Sequence, residues 1–162
     1  MEPRLVESGP EMAVVRVDVP GLTPDDAFLA FTEPSSLVRW WPQEAETDRR
    51  VGGTYHMSWP AMGWHLRGRY TTMEPARALG FTWRWDHEPG LPERDVVVSF
   101  EPVPDGGTRI TVTHGRYGAG DAEAADRQGH IDGWLHFLAR LASFAGLLDT
   151  GTPASLGRFR NE

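Results

Sequence analysis

Residues 121–148, DAEAADRQGHIDGWLHFLARLASFAGLL, form the last long apolar run of the chain, and their reading decides the fold. At 3.6 residues per turn, His130, Ile131, Trp134, Phe137, Leu138, Leu141, Ala145 and Leu148 share one broad face. Asp132, His136, Arg140 and Ser143 form a narrow stripe opposite them. So thin a polar stripe demands cover over about two-thirds of the circumference. The rest of the chain is therefore expected to build a concave surface that wraps this helix. Asp121 is placed to cap its N-terminus, where a carboxylate accepts free backbone N–H groups and suits the helix dipole. Gly129 and Gly133 each cost about 1 kcal/mol against alanine and mark where a kink or break would fall.

Upstream, the pattern changes from helical to alternating. Residues 1–11 carry Pro3 and Pro10 with little periodicity and read as a lead-in. Ala13, Val15, Val17 and Val19 alternate with polar neighbours as far as Pro20, which predicts a half-buried strand. Thr23-Pro24-Asp25-Asp26 is a helix start, with a capping hydroxyl, proline in the first turn and acids behind it. Glu33-Pro34-Ser35-Ser36 opens a second short helix ending at Trp40-Trp41-Pro42, and a strand through Ala45 and Thr47 follows.

From Thr54 onward the apolar residues specify a pairing. Placing Trp59 opposite Trp64 across the loop 60–63 sets Met57 against Leu66 and Tyr55 against Gly68. The next turn, Glu74–Arg77, brings Tyr70 to Phe81, Gly68 to Trp83 and Leu66 to Trp85. Val96, Val98 and Phe100 are then expected near Trp85, Trp83 and Phe81. Beyond the Asp105-Gly106-Gly107 turn, Ile110, Val112 and His114 meet Phe100, Val98 and Val96. Every pairing keeps the large apolar side chains on one face, and a one-residue slip would put them in water. The other face, with His56, Ser58, His65, Arg67, Arg69, Arg84, Glu101, Arg109 and Thr111, reads as solvated. The fold class is α+β: a curved antiparallel sheet wrapped around a long C-terminal helix, as one domain over 12–149 with a tail at 150–162.

Composition narrows the functions. The chain has 162 residues and a formal net charge of −7, which argues against an electrostatic grip on nucleic acid or an anionic membrane. No run of about 20 apolar residues and no basic-then-apolar leader is present, so a soluble cytoplasmic protein is expected. With no cysteine there is no thiolate nucleophile and no Cys-ligated metal. Gly-x-Ser-x-Gly, phosphate-loop and His-Glu-x-x-His signatures are missing, and no cofactor is expected. His56, His65 and His87 lack a carboxylate or further ligand at fixed spacing, so no metal is assigned. Arg67, Arg69 and Arg84 are expected to pair with Glu44, Glu46 and Glu101 at the surface.

The succession of motifs resembles the helix-grip fold of the START-like (SRPBCC) superfamily, and within it the family named after the activator of Hsp90 ATPase. The residues that carry the likeness are Ala27-Phe28-Leu29-Ala30-Phe31-Thr32 leading to Trp40-Trp41-Pro42, and then Gly52-Gly53-Thr54-Tyr55. They continue with Gly68-Arg69-Tyr70, Glu74-Pro75-Ala76-Arg77-Ala78-Leu79, Phe81-Thr82-Trp83, the 96–112 hairpin and Gly133-Trp134. Their order and spacing cover about residues 12–148. The resemblance implies a cavity between helix and sheet, and it implies no single function, since such domains include lipid carriers, hormone receptors, polyketide cyclases and stress-response cochaperones.

The residues themselves favour a site for a small, largely apolar, aromatic or lipid-like ligand. Tyr55, Tyr70, Trp83 and Trp85 are expected to form its floor, with His114 and His130 as orienting groups and Trp134 as the lid-side wall. Trp40 and Trp41 are placed at the rim, and Trp59 and Trp64 complete the aromatic lining. Two rivals stand beside this reading. One is a cavity enzyme of cyclase or hydrolase type using His114 and His130 as acid and base. The other is a protein-interaction module that contacts a chaperone or self-associates, for which an exposed apolar patch would be the sign.

Overall fold

Alternation of buried and partly buried residues every second position is what β2 (Met12–Val19) shows, with Ala13, Val15, Val17 and Val19 all facing inward. The computed structural model describes residues 2–149, with side chains as far as Gly146, so the tail at 150–162 and the helix-face position of Leu148 lie outside it. The lead-in is shorter than the sequence implies. Arg4–Val6 forms an edge strand, β1, antiparallel to β2. After β2 come α1 (Pro24–Thr32) and α2 (Pro34–Leu37). The strands β3 (Glu44–Thr47), β4 (Thr54–Trp59), β5 (Trp64–Glu74), β6 (Ala78–Trp85), β7 (Arg94–Pro102) and β8 (Thr108–Gly115) follow. Helix α3 (Asp121–Asp149) is the last element among the described residues.

All strand pairs are antiparallel, and the eight strands form one curved sheet in the order β1-β2-β8-β7-β6-β5-β4-β3. The fold is the helix-grip α+β architecture. Thr23 caps α1 by accepting the Asp26 backbone N–H at 3.2 Å. Asp121 is the first residue of α3 and not its cap. It supplies acidic charge to the first turn together with Glu123, while the Gly120 carbonyl accepts the Ala124 N–H. The helix runs through Gly129 and Gly133 without a break. Asp132, His136, Arg140 and Ser143 are exposed, as the stripe predicts.

Three of the four hairpin registers are as expected. Trp59 faces Trp64, Met57 faces Leu66 and Tyr55 faces Gly68. Phe100, Val98 and Val96 face Ile110, Val112 and His114. Between them, Leu66 faces Trp85 and Tyr70 faces Phe81, with a bulge just beyond. The β6–β7 pairing differs from the expectation by four residues: Phe81 faces Val96, Leu79 faces Val98 and Trp83 faces Arg94. An even slip leaves every side chain on its own face, so hydrophobic alternation cannot oppose it. Its consequence is that Arg94, and not a valine, lies beside Trp83.

The outer face is also less uniformly wet than expected. Ser58 and Thr111 are buried, bonded to Glu44 and Arg16 respectively. Arg67 pairs with Asp86 and Arg69 with Glu93, not with Glu44, Glu46 or Glu101.

Helix α3 does not sit centrally on the sheet. Its backbone approaches β2, with lesser approaches to β1 and β8. There the small side chain of Ala13 packs against Tyr117, Ile131 and Leu135, and Arg127 donates to the Met12 carbonyl at 2.7 Å. On the β4–β6 side, bulky rings hold helix and sheet apart.

Candidate functional site

That separation leaves a cavity of about 180 Å³. Trp59 from β4, Trp64 from β5, and Trp83 and Trp85 from β6 line its sheet side. Trp41, just beyond α2, adds to the wall, and α3 contributes Gly129, His130, Gly133, Trp134 and Phe137. A Cβ added at Gly129 or Gly133 would meet nothing within 4 Å. The hollow therefore exists partly because two helix positions over it carry no side chain. The rings brace one another. Trp41 stacks on Trp83 at 5.9 Å and 20°, and it meets Trp134 at 5.1 Å.

Outward, the cavity meets a wider vestibule of about 830 Å³ between α3 and the loop 86–93. Trp64, 37% exposed, stands at this mouth with His87 stacked on it at 5.3 Å. The mouth is thus built by Trp64, Trp85 and the loop after β6, and not by Trp40-Trp41.

Of the residues expected to form the site, Trp41, Trp59, Trp64, Trp83, Trp85, His130 and Trp134 line the cavity, and four do not. Trp40 is fully buried in the core, its Nε1–H donating to the Ala30 carbonyl at 2.9 Å. Tyr55 donates its hydroxyl to the Thr82 carbonyl beside Gly68, and Tyr70 lies 5.7 Å from it, with its own hydroxyl buried and unpaired. A Cβ at Gly68 would overlap the Thr82 carbonyl and stand 2.6 Å from Tyr55 Cε2, so the room that glycine gives up is filled by the Tyr55 ring. His114 is buried behind the wall.

His114 and His130 do meet, as rings stacked at 4.1 Å and 13°. Trp134 Nε1–H donates to His114 Nδ1 at 3.0 Å, and Tyr117 Oη lies 2.7 Å from His130 Nδ1. Burial holds His114 well below the usual imidazole range, with His130 and Arg94 adding to the effect. Burial likewise lowers His130 to about 4, with Asp126 pulling the other way and Arg94 assisting. Both imidazoles are neutral near pH 7.

Beneath them lies a polar cluster that alternation had in fact marked. Arg94 has the same parity as Val96, Val98 and Phe100, so it points inward, and its side chain is 1% exposed. Its guanidinium forks onto Glu123 at 3.1 and 2.8 Å, bonds Asp126 at 3.0 Å and donates to the Arg116 carbonyl at 2.9 Å. It also lies 4.4 Å from the Tyr117 ring centroid. Burial opposes its charge, but the bonds to Glu123 and Asp126 raise its pKa overall. Glu123, bonded by Arg94 and by the Gly118 N–H, is lowered to about 2. This cluster fixes the first turns of α3 to β7 and so sets the helix over the cavity.

On the outer face His56 Nε2 and His65 Nδ1 lie 2.8 Å apart. Among the described residues no three His, Asp or Glu side chains gather as metal ligands, and no helix is long and apolar enough to cross a membrane.

The fold is shared with solved structures. MLL2253 from Mesorhizobium loti superposes with a TM-score of 0.73 at 22% identity, covering 87% of this chain and 99% of that one. DynU16, described as a putative protein in the dynemicin biosynthetic locus, gives a TM-score of 0.72 at 25% identity, covering 90% of this chain and 50% of that one. PFC0360w, an HSP90 activator from Plasmodium falciparum, gives 0.67 at 22% identity over 84% of this chain and 96% of that one. No curated protein matches in sequence. The family described as activator of Hsp90 ATPase homolog 1-like protein matches residues 22–146, and the chain belongs to that family.

Proposed function

We propose that this protein binds a small, largely apolar aromatic molecule of one or two rings in the cavity between α3 and strands β4–β6. The observation that carries the reading is a hollow walled by six tryptophans and Phe137, with His130 as its one polar side chain. An engineered apolar cavity of about 150 Å³ takes up benzene, and the hollow here is of that order, with a vestibule into which substituents can extend.

The enzyme alternative needs two groups that reach a substrate, and His114 is fully buried with Nδ1 committed to Trp134. An Hsp90-activator-like interaction module needs a continuous apolar surface. Among the described residues, Leu5, Val38, Val51, Met62 and Val97 are exposed on different elements, while exposed Trp64 belongs to the cavity mouth.

The test is a titration with dimethylaminonaphthalene, an apolar dye whose emission reports its surroundings and which accepts excitation from nearby tryptophans. Saturable one-to-one binding with energy transfer is the expected result, and native mass spectrometry of protein from its own host should show a retained small molecule. Emission that rises only linearly with dye would contradict the reading.

A further inference from the structure

The hollow and the vestibule outside it form one space with two characters. Trp64, Trp85, Gly129 and His130 line both. A Cβ added at Gly129 would meet nothing within 4 Å, so the helix carries no side chain where the two spaces join. A chain borne by a ring in the hollow can therefore run past Gly129 into the vestibule. The hollow is almost wholly apolar, whereas the vestibule is lined by two carboxylates, Glu88 and Asp126, and by no arginine.

The loop 86–93 carries three acids, and they are not alike. Asp86 is bonded by Arg67 at 3.0 and 3.1 Å, and Glu93 lies 3.9 Å from Arg69, both pairs being exposed. Glu88 is half-buried and lines the vestibule, and among the described residues its carboxylate has neither an ion pair nor a hydrogen bond. Two turns hold this residue in place. Its N–H donates to the Trp85 carbonyl at 3.2 Å, and its carbonyl accepts the Leu91 N–H at 3.1 Å. On the helix side, Arg94 is one guanidinium against two carboxylates, Glu123 and Asp126, so that cluster keeps one negative charge in excess. His130 is neutral near pH 7 and does not offset it. Both walls are thus negative, which disfavours an anionic substituent. A cation gains from Glu88, and also from the exposed indole of Trp64, whose π face attracts an ammonium.

We propose that the ligand is an aralkylamine, with its ring in the hollow and its ammonium in the vestibule between the Glu88 carboxylate and the Trp64 indole. This rests on the reading of the hollow as a binding site and names the class of ligand it takes.

The experiment is calorimetry on the full chain at pH 7. It compares 2-phenylethylamine, protonated there as a lysine side chain is, with 2-phenylethanol, which has the same ring and chain without the charge. The amine is expected to bind about tenfold more tightly at low salt, and added sodium chloride should reduce that ratio. Read within each variant, the ratio should fall toward one in Glu88→Gln. It should persist in Glu93→Gln, which removes the same charge from the same loop at the residue beside Arg69. Equal binding of the two compounds, a ratio unchanged in Glu88→Gln, or an equal loss in Glu93→Gln overturns the amine class alone. So does failure of both to bind protein that takes up dimethylaminonaphthalene. If the dye does not bind either, the binding reading falls as well.

Discussion

Helix α3 meets the sheet in two different ways. Over β2 the contact is close and filled: Ala13 is small, Ile131 is buried, and Leu135 packs alongside. Over β4–β6 the sheet presents tryptophans and the helix answers with Gly129 and Gly133, so the layers stand apart and a hollow remains. Both sides belong to one helix with one apolar face. The difference lies in side-chain volume, because close packing leaves few voids unless bulky rings face positions with no side chain. The filled side stabilises the fold, and the hollow side is free to take a ligand.

The largest expected effect comes from breaking the device that holds the two sides in place. Arg94→Ala would strand Glu123 and Asp126, the latter 10% exposed, and should cost about 3–5 kcal/mol in a denaturant melt. A loss below about 1 kcal/mol would mean the cluster does not anchor α3. Next, the two sides should respond oppositely to alanine. Ile131→Ala on the filled side should cost about 2–5 kcal/mol. Gly133→Ala on the hollow side, where a Cβ meets nothing, should stabilise by up to about 1 kcal/mol. Destabilisation by Gly133→Ala would show that the hollow is not open.

The histidine pair gives a pH signature. His130 titrates near 4 when folded and near 6.5 when unfolded, so between those values the unfolded chain binds more protons. Its contribution is complete above about pH 6.5 and is lost as pH falls toward 4, on the order of 3 kcal/mol. His114 acts in the same direction. The groups facing His130 are Asp126, Arg94, Tyr117 and His114, and Glu123 remains ionised down to about 2, below this window. His130→Gln should flatten the stability curve between pH 4 and 6.5, and an unchanged slope would remove His130 as its source.

Much of the architecture was legible because period-two alternation fixes which face a residue takes. The Tyr55–Gly68 and Val96–His114 pairings follow from it directly. What alternation cannot fix is an even slip, and the four-residue difference between β6 and β7 is of that kind. That slip hid Arg94, although its parity with Val96 already pointed it inward. The site was legible in part for a similar reason. Inward-facing aromatics were identified, but whether a given ring borders the hollow or fills the core depends on helix placement. Trp40 and Tyr55 found carbonyl partners in the core, whereas Trp64 and Trp85 did not. Gly129 and Gly133 drew attention as weak points of a helix, and their effect is on the space beneath it.

Gly133→Leu tests the account most directly, with affinity and stability measured on the same preparation. The added side chain would project into the hollow without meeting a neighbour at Cβ. The account predicts that dimethylaminonaphthalene binding is lost, while the variant unfolds cooperatively with stability equal to or above that of the wild type. Retained dye affinity in a folded Gly133→Leu protein would place the binding site elsewhere and contradict the account.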